Sequence, residues 1–157
     1  MIKLSEDLSI QKLTMADQPE LIELMKEIYI PSYKHIWSDS GEWYLEQMYN
    51  TEAFQQDLDD PKSHYYFVIY EGWKIGILKY SYPESPEVVD FPNSLKLHRL
   101  YISKEYQGKG IAAQLMRRVE SIARERNLNF IWLEVMDTQL QAQSFYRKMG
   151  FALARYF

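Results

Sequence analysis

The sequence predicts one α/β (α+β) domain, 1–157, with a mixed, mostly antiparallel sheet flanked by about four helices. Three observations carry that prediction. HYYFVIY (64–70) and WKIGILKYSY (73–82) are apolar, β-branched and aromatic runs joined through Glu71 and Gly72, the mark of a hairpin. Ile111, Leu115, Val119 and Ile122 recur at helical spacing after a glycine-containing turn. The elements read β-α-α-β-β-β-α-β-α-β, with no repeat, linker or low-complexity tract, and 157 residues suit a single core.

Each element has its own signal. Leu8 and Ile10 alternate with polar neighbours in LSIQKLT (8–14), which predicts a strand. Asp17 is the expected cap of the first helix, with Glu20 three residues on and Leu21, Leu24, Met25 and Ile28 on one face. Pro31 is expected to end that helix or open the next. A second amphipathic stretch spans about 41–58, with Trp43, Met48 and Leu58 inward. Between the two lies an aromatic corner of Tyr29, Tyr33, Trp37, Trp43 and Tyr44. Three prolines make 83–94 a loop, and LKLHRLYIS (95–103) is a strand. Asn127 is the expected C-cap of the helix after the glycines. FIWLEVM (130–136) reads as a buried strand, LQAQSFYRKM (140–149) as a short helix stopped by Gly150, and FALARYF as a closing strand.

Composition removes several kinds of chemistry. There is no cysteine, which excludes disulfides, thiolate metal ligands and a cysteine nucleophile. His35, His64 and His98 lie far apart with no ligand spacing, so no metal is expected. Net charge is −4 and no basic run exceeds Arg124–Arg126, which argues against nucleic acid. No apolar run approaches a membrane span and MIKLSEDLSIQ lacks a signal-peptide core, so a cytoplasmic protein with no membrane partner is expected.

The stretch YQGKGIAAQ (106–114) fits two cofactor templates. Gly108, Gly110 and Ala113 spell G-x-G-x-x-A, the dinucleotide fingerprint, with Glu134 at the end of the next strand where a ribose-binding acid belongs. Three features disfavour it. The loop 103–107 separates the strand from the first glycine, the strand carries Lys96, His98 and Arg99 where a buried parallel strand would be apolar, and too little chain follows for a doubly wound domain. Gln107, Gly110 and Ala112 spell Q-x-x-G-x-A, a loop associated with coenzyme A. Its chemistry needs only N–H groups at a helix N-terminus, glycines that let a pyrophosphate approach, and the mobile cation Lys109.

With LHRLYISKEYQGKGIAAQLM (97–116) followed by QLQAQSFYRKMGF (139–151), the chain resembles the GCN5-related N-acetyltransferase superfamily. The resemblance implies acetyl-CoA as co-substrate and direct transfer to a small-molecule amine. It implies that main-chain groups of Leu100, Tyr101 and Ile102 line the pantetheine arm, that N–H groups from Gln107, Gly108, Lys109, Gly110, Ile111, Ala112 and Ala113 hold the pyrophosphate, and that Tyr146 protonates the leaving thiolate. Tyr146 also has a packing role open to it, beside Phe145.

Three departures bear on function. Relatives often carry Glu on the strand before the glycines, where this chain has Lys96 and His98. His98 becomes a candidate base, beside a water-mediated relay and a plain surface histidine. Gln139 stands where relatives often have Asn against the cofactor arm. The C-terminus is short, so that a last strand is either absent or supplied by a neighbour in a homodimer.

SLKLHRLYI, NFIWLEV, YNTEAFQQDL and AQSFYRKMGF further resemble bacterial polyamine (spermidine/spermine) N-acetyltransferases. Asp39, Glu42 and Glu46 among Tyr33, Trp37, Trp43 and Tyr44, with Glu84, Glu87 and Asp90 in the loop, suit a polyammonium substrate. A protein or other small amine as acceptor, and a non-catalytic coenzyme A-binding module, stay open at this point.

Overall fold

The computed structural model describes residues 1–87 and 90–154. Six strands form one sheet in sequential order: β1 (Ile2–Lys3), β2 (Leu8–Lys12), β3 (Ser63–Tyr70), β4 (Trp73–Ser81), β5 (Ser94–Ile102) and β6 (Phe130–Trp132). All neighbours are antiparallel except β5 and β6, which run parallel. Helices α1 (Gln18–Tyr33), α2 (Glu42–Tyr49) and α3 (Thr51–Asp59) join β2 to β3, α4 (Ile111–Glu125) joins β5 to β6, and α5 (Leu140–Lys148) follows β6.

The period of two in the strands divides the core. Tyr65, Phe67, Ile69 and Ile77 face α1–α3 and meet Leu21, Met25, Tyr29, Leu45, Tyr49 and Phe54. Tyr66, Val68, Leu78, Leu95 and Leu97 face the other way and meet Ile111, Leu115, Met116, Val119 and Ile122 of α4. A sheet covered on both faces explains why β3 reads as an unbroken apolar run. Glu71 and Gly72 form the hairpin turn, both at positive φ (48° and 84°).

Several sequence expectations are corrected. Asp17 is not the N-cap. The box sits three residues earlier, the Asp17 carboxylate accepting from the Thr14 N–H at 2.8 Å, and a short 3-10 turn at Met15–Asp17 precedes α1. Pro31 neither ends α1 nor starts another helix. It lies two residues from the helix end, where the hydrogen bond it removes belongs to the last turn only. The stretch 41–58 is two helices broken at Asn50, whose side chain accepts from the Ala53 N–H at 2.8 Å to cap α3. Leu45, Tyr49 and Phe54 fill its core side, whereas Trp43 is 62% exposed.

The predicted strand 130–136 keeps only its first three residues, and those are half-buried or exposed. Residues 151–154 of the predicted closing strand form none, and 155–157 lie outside the described residues, as do 88 and 89 of the loop. The two-residue β1 was not foreseen. No helix among the described residues is long and apolar enough to cross a membrane.

Candidate active site

The site grows from the uneven pairing of β5. On one side β5 follows β4 as far as Ile102, which faces Gly76. On the other it pairs β6 only at Ser94, Leu95 and Lys96, and then the two parallel strands part. From Leu97 to Ile102 that second backbone edge has no strand partner among the described residues. The Leu100 carbonyl and N–H and the Ile102 N–H point away from β4 and border a gap able to take an extended amide-bearing chain as an added strand, whereas the groups of Tyr101, expected there too, face Ile77 and Gly76 of β4.

The gap leads into the glycine turn. After Ser103 the chain makes a short 3-10 turn at Lys104–Tyr106 and reaches Gly108 (φ 80°) and Gly110 (φ 77°), which precedes the first residue of α4. A Cβ on either glycine would meet nothing within 4 Å, so they supply backbone conformation and leave the outer side open. α4 has no side-chain cap. Among the described residues no acceptor faces the N–H groups of Gly108 to Ala113. A run of unpaired donors at a helix N-terminus is an anion site by charge and by geometry. Lys109 is exposed beside it. Gln107 ties the turn to its neighbours, its amide N–H donating to the Ile102 carbonyl at 3.0 Å and its amide oxygen accepting from Gln141 of α5 at 3.4 Å.

α5 brings Tyr146 to the same region. Its ring is edge-on to Phe145 and Phe151, at 5.1 and 5.6 Å between centroids. Burial pushes the phenol up to about 12, with the nearby Tyr33 phenol adding to the effect, so it stays protonated at neutral pH. Tyr33 itself belongs to an aromatic nest. It lies 4.5 Å from Tyr29 and 6.4 Å from Tyr101, Tyr29 stacks on Tyr44, Tyr44 stacks on Trp37, and the Trp37 indole N–H donates to the Tyr29 hydroxyl at 3.0 Å. α1 and α2 thus meet β5 at Tyr101. Gln139 flanks α5, and its amide oxygen accepts from the Met136 N–H at 3.4 Å, turned onto its own loop.

His98 owes its place to a bulge. Lys79 and Tyr80 of β4 face Arg99 and Leu97, leaving His98 as an extra residue on β5. Its Nε2 is 3.0 Å from the Glu84 carboxylate. Burial and the Lys79 charge lower its pKa below the usual histidine range, against the pull of Glu84, so the ring is neutral at pH 7. Lys96 sits between Glu134 at 3.2 Å and Glu84 at 3.9 Å, over the Trp132 ring. On the same sheet face Asp57 of α3 takes two buried cations, Arg99 at 3.1 Å and Lys79 at 3.0 Å, and Arg99 also donates to the Tyr65 hydroxyl at 2.9 Å.

Sequence reasoning missed Glu84 as a partner of His98, together with Asp57, Gly76 and Gln141. The acids it offered for ammonium groups are partly engaged. Asp39 accepts from the N–H groups of Gly41 and Trp43 at the start of α2, and Glu46 lies 3.8 Å from Lys26. Two cavities, of about 200 and 370 Å³, are lined by neither Tyr146, His98 nor the glycine turn. The site is an open groove along a strand edge.

Comparison with known proteins agrees with this geometry. The fold matches the PaiA N-acetyltransferase from Thermoplasma acidophilum, solved in complex with coenzyme A, at a TM-score of 0.80 and 22% identity over 96% of this chain and 92% of that one. An uncharacterised N-acetyltransferase of Lactobacillus delbrueckii subsp. lactis is 27% identical over 85% of this chain and 78% of its own length. The spermine/spermidine N(1)-acetyltransferase of Bacillus subtilis is 30% identical over 67% of this chain and 72% of its own length. Residues 22–151 match the family model of the acetyltransferase (GNAT) family. With most of its length inside that match, and a sheet that parts beside an uncapped glycine turn, the chain belongs to the acetyltransferase (GNAT) family and is an N-acetyltransferase.

Proposed function

We propose that this enzyme transfers the acetyl group of acetyl-CoA directly to a primary amine, with a polyamine such as spermidine or spermine as the leading acceptor. The observation that carries the proposal is continuity. The unpaired edge of β5 leads through the short turn 103–107 to the unpaired N–H groups of Gly108 to Ala113, and α5, which carries Tyr146, meets that turn through Gln141 and Gln107. Acetyl-CoA fits that order of donors, and when bound it supplies an acetyl group activated as a thioester.

Each residue then has a task. Main-chain groups of Leu100 and Ile102 hold the pantetheine amides, and the turn from Gln107 to Ala113 holds the pyrophosphate with Lys109 beside it. Gln139 reaches the cofactor arm once its amide leaves its own loop. Tyr146 keeps its proton at neutral pH and places it for the departing sulfur. His98, neutral at pH 7, accepts a proton from the ammonium substrate. With no cysteine in the chain, no acetyl-thiol intermediate can form on the protein.

The aromatic nest and the likeness to a spermine/spermidine N(1)-acetyltransferase support the polyamine reading. One observation favours a less highly charged amine. Lys79, Lys96 and Arg99 already neutralise carboxylates that a polyammonium chain would use. Product detection by mass spectrometry over spermidine, spermine, simple monoamines and aminoglycosides decides between them. A kcat/KM at least tenfold higher for the polyamines is expected, and acetylation of monoamines with none of the polyamines would overturn that acceptor.

A further inference from the structure

We propose that Glu84 is the positioning residue for His98, fixing the ring so that Nδ1 is the nitrogen that takes the substrate ammonium proton. This rests on His98 being the base of the acetyltransferase site.

Three observations carry it. A carboxylate only accepts, so the 3.0 Å contact requires Nε2 to carry the hydrogen and leaves the lone pair on Nδ1. Among the described residues Nδ1 has no hydrogen-bond partner. Glu84 is itself held across the paired ends of both strands, its N–H donating to the Ser94 carbonyl of β5 at 2.9 Å and its carbonyl accepting from the Trp132 indole of β6 at 2.8 Å. A loop residue tied to both β5 and β6 presents its carboxylate to His98, the residue of β5 left over by its bulge against β4.

The charges around the ring suit the task. Lys79 of β4 and Lys96 of β5 oppose the imidazolium, and Glu84 of the β4–β5 loop favours it. Glu134, after β6, holds Lys96, while Arg99 beside His98 is held by Asp57. In the step, one N–H bond of the ammonium breaks and its pair stays on nitrogen as the attacking lone pair. A new N–H bond forms at Nδ1, the imidazolium is stabilised by Glu84, and the proton later leaves to water.

The test is Glu84→Gln, with Glu84→Asp keeping the charge. His98 titration is followed by NMR, assigned against His98→Gln, and pH profiles of amine-dependent turnover are measured beside it. Loss of the carboxylate charge should lower the His98 pKa, move the acid limb of kcat/KM to lower pH, and cut kcat/KM by about tenfold or more, while coenzyme A affinity holds. Glu84→Asp should restore both titration and rate in part. A rate loss with an unmoved titration and limb would make Glu84 only a clasp between strands and overturn the proposal. A moved titration with an unchanged rate and profile would show that His98 is not the base. Absence of amine-dependent turnover in the unaltered enzyme would instead overturn the acetyltransferase site itself, which the titration does not depend on.

Discussion

Gly110 shows how much a single residue can carry in this site. It takes positive φ before the first residue of an uncapped helix, with nothing where its Cβ would be. Gly110→Val should therefore cost about 1–3 kcal/mol in backbone strain. It should also weaken coenzyme A binding by at least tenfold, read by calorimetry, since a side chain would occupy the anion's side of the turn. Unchanged affinity would remove the turn from cofactor binding. The glycines were legible in the sequence because a left-handed turn before a helix demands them, and the helix that carries Tyr146 was legible through its surrounding motif. Glu84 as a partner of His98, and Asp57, were not. A loop carboxylate looks solvated until the fold brings it to a partner, here across 14 residues to His98 and 42 to Arg99.

At the scale of elements, the parting of β5 from β6 is the feature on which the groove depends. β5 holds its other side tightly. A Cβ on Gly76 would lie 2.0 Å from the Tyr101 carbonyl oxygen, a distance no packing tolerates. Gly76→Ala should push β5 from β4, lower stability by roughly 1–3 kcal/mol in denaturant unfolding, and impair turnover through the displaced Tyr101 edge. Equal stability would mean that the strands do not approach so closely. Strands and helices with their own pattern were readable: β3 and β4 from apolar runs and a turn pair, α4 from its spacing. The end of β6 was not, because a strand lasts only as long as its neighbour stays beside it. The break at Asn50 was signalled by a capping residue but hidden by apolar spacing that continues across it.

Across the whole molecule, two helical layers cover a sheet whose two faces divide the labour. The α1–α3 face brings the tyrosine nest, the Asp57 ion cluster and His98 to one side of β5. The α4–α5 face brings the glycine turn and Tyr146. The buried tyrosines stay neutral. Tyr65, like Tyr146, is pushed up to about 12 by burial, and Tyr101 is raised further by the same cause. On the proposed reading, the groove's chemistry rests on the neutral His98 imidazole and the protonated Tyr146 phenol. The measurement that bears on this most directly is amine-dependent thiol release from acetyl-CoA, followed with a thiol reagent to which a chain without cysteine adds no background. The account predicts release that requires an amine and falls by about 100-fold in Tyr146→Phe at unchanged acetyl-CoA affinity. Release at full rate by Tyr146→Phe, or none with any amine while acetyl-CoA binds, would contradict it.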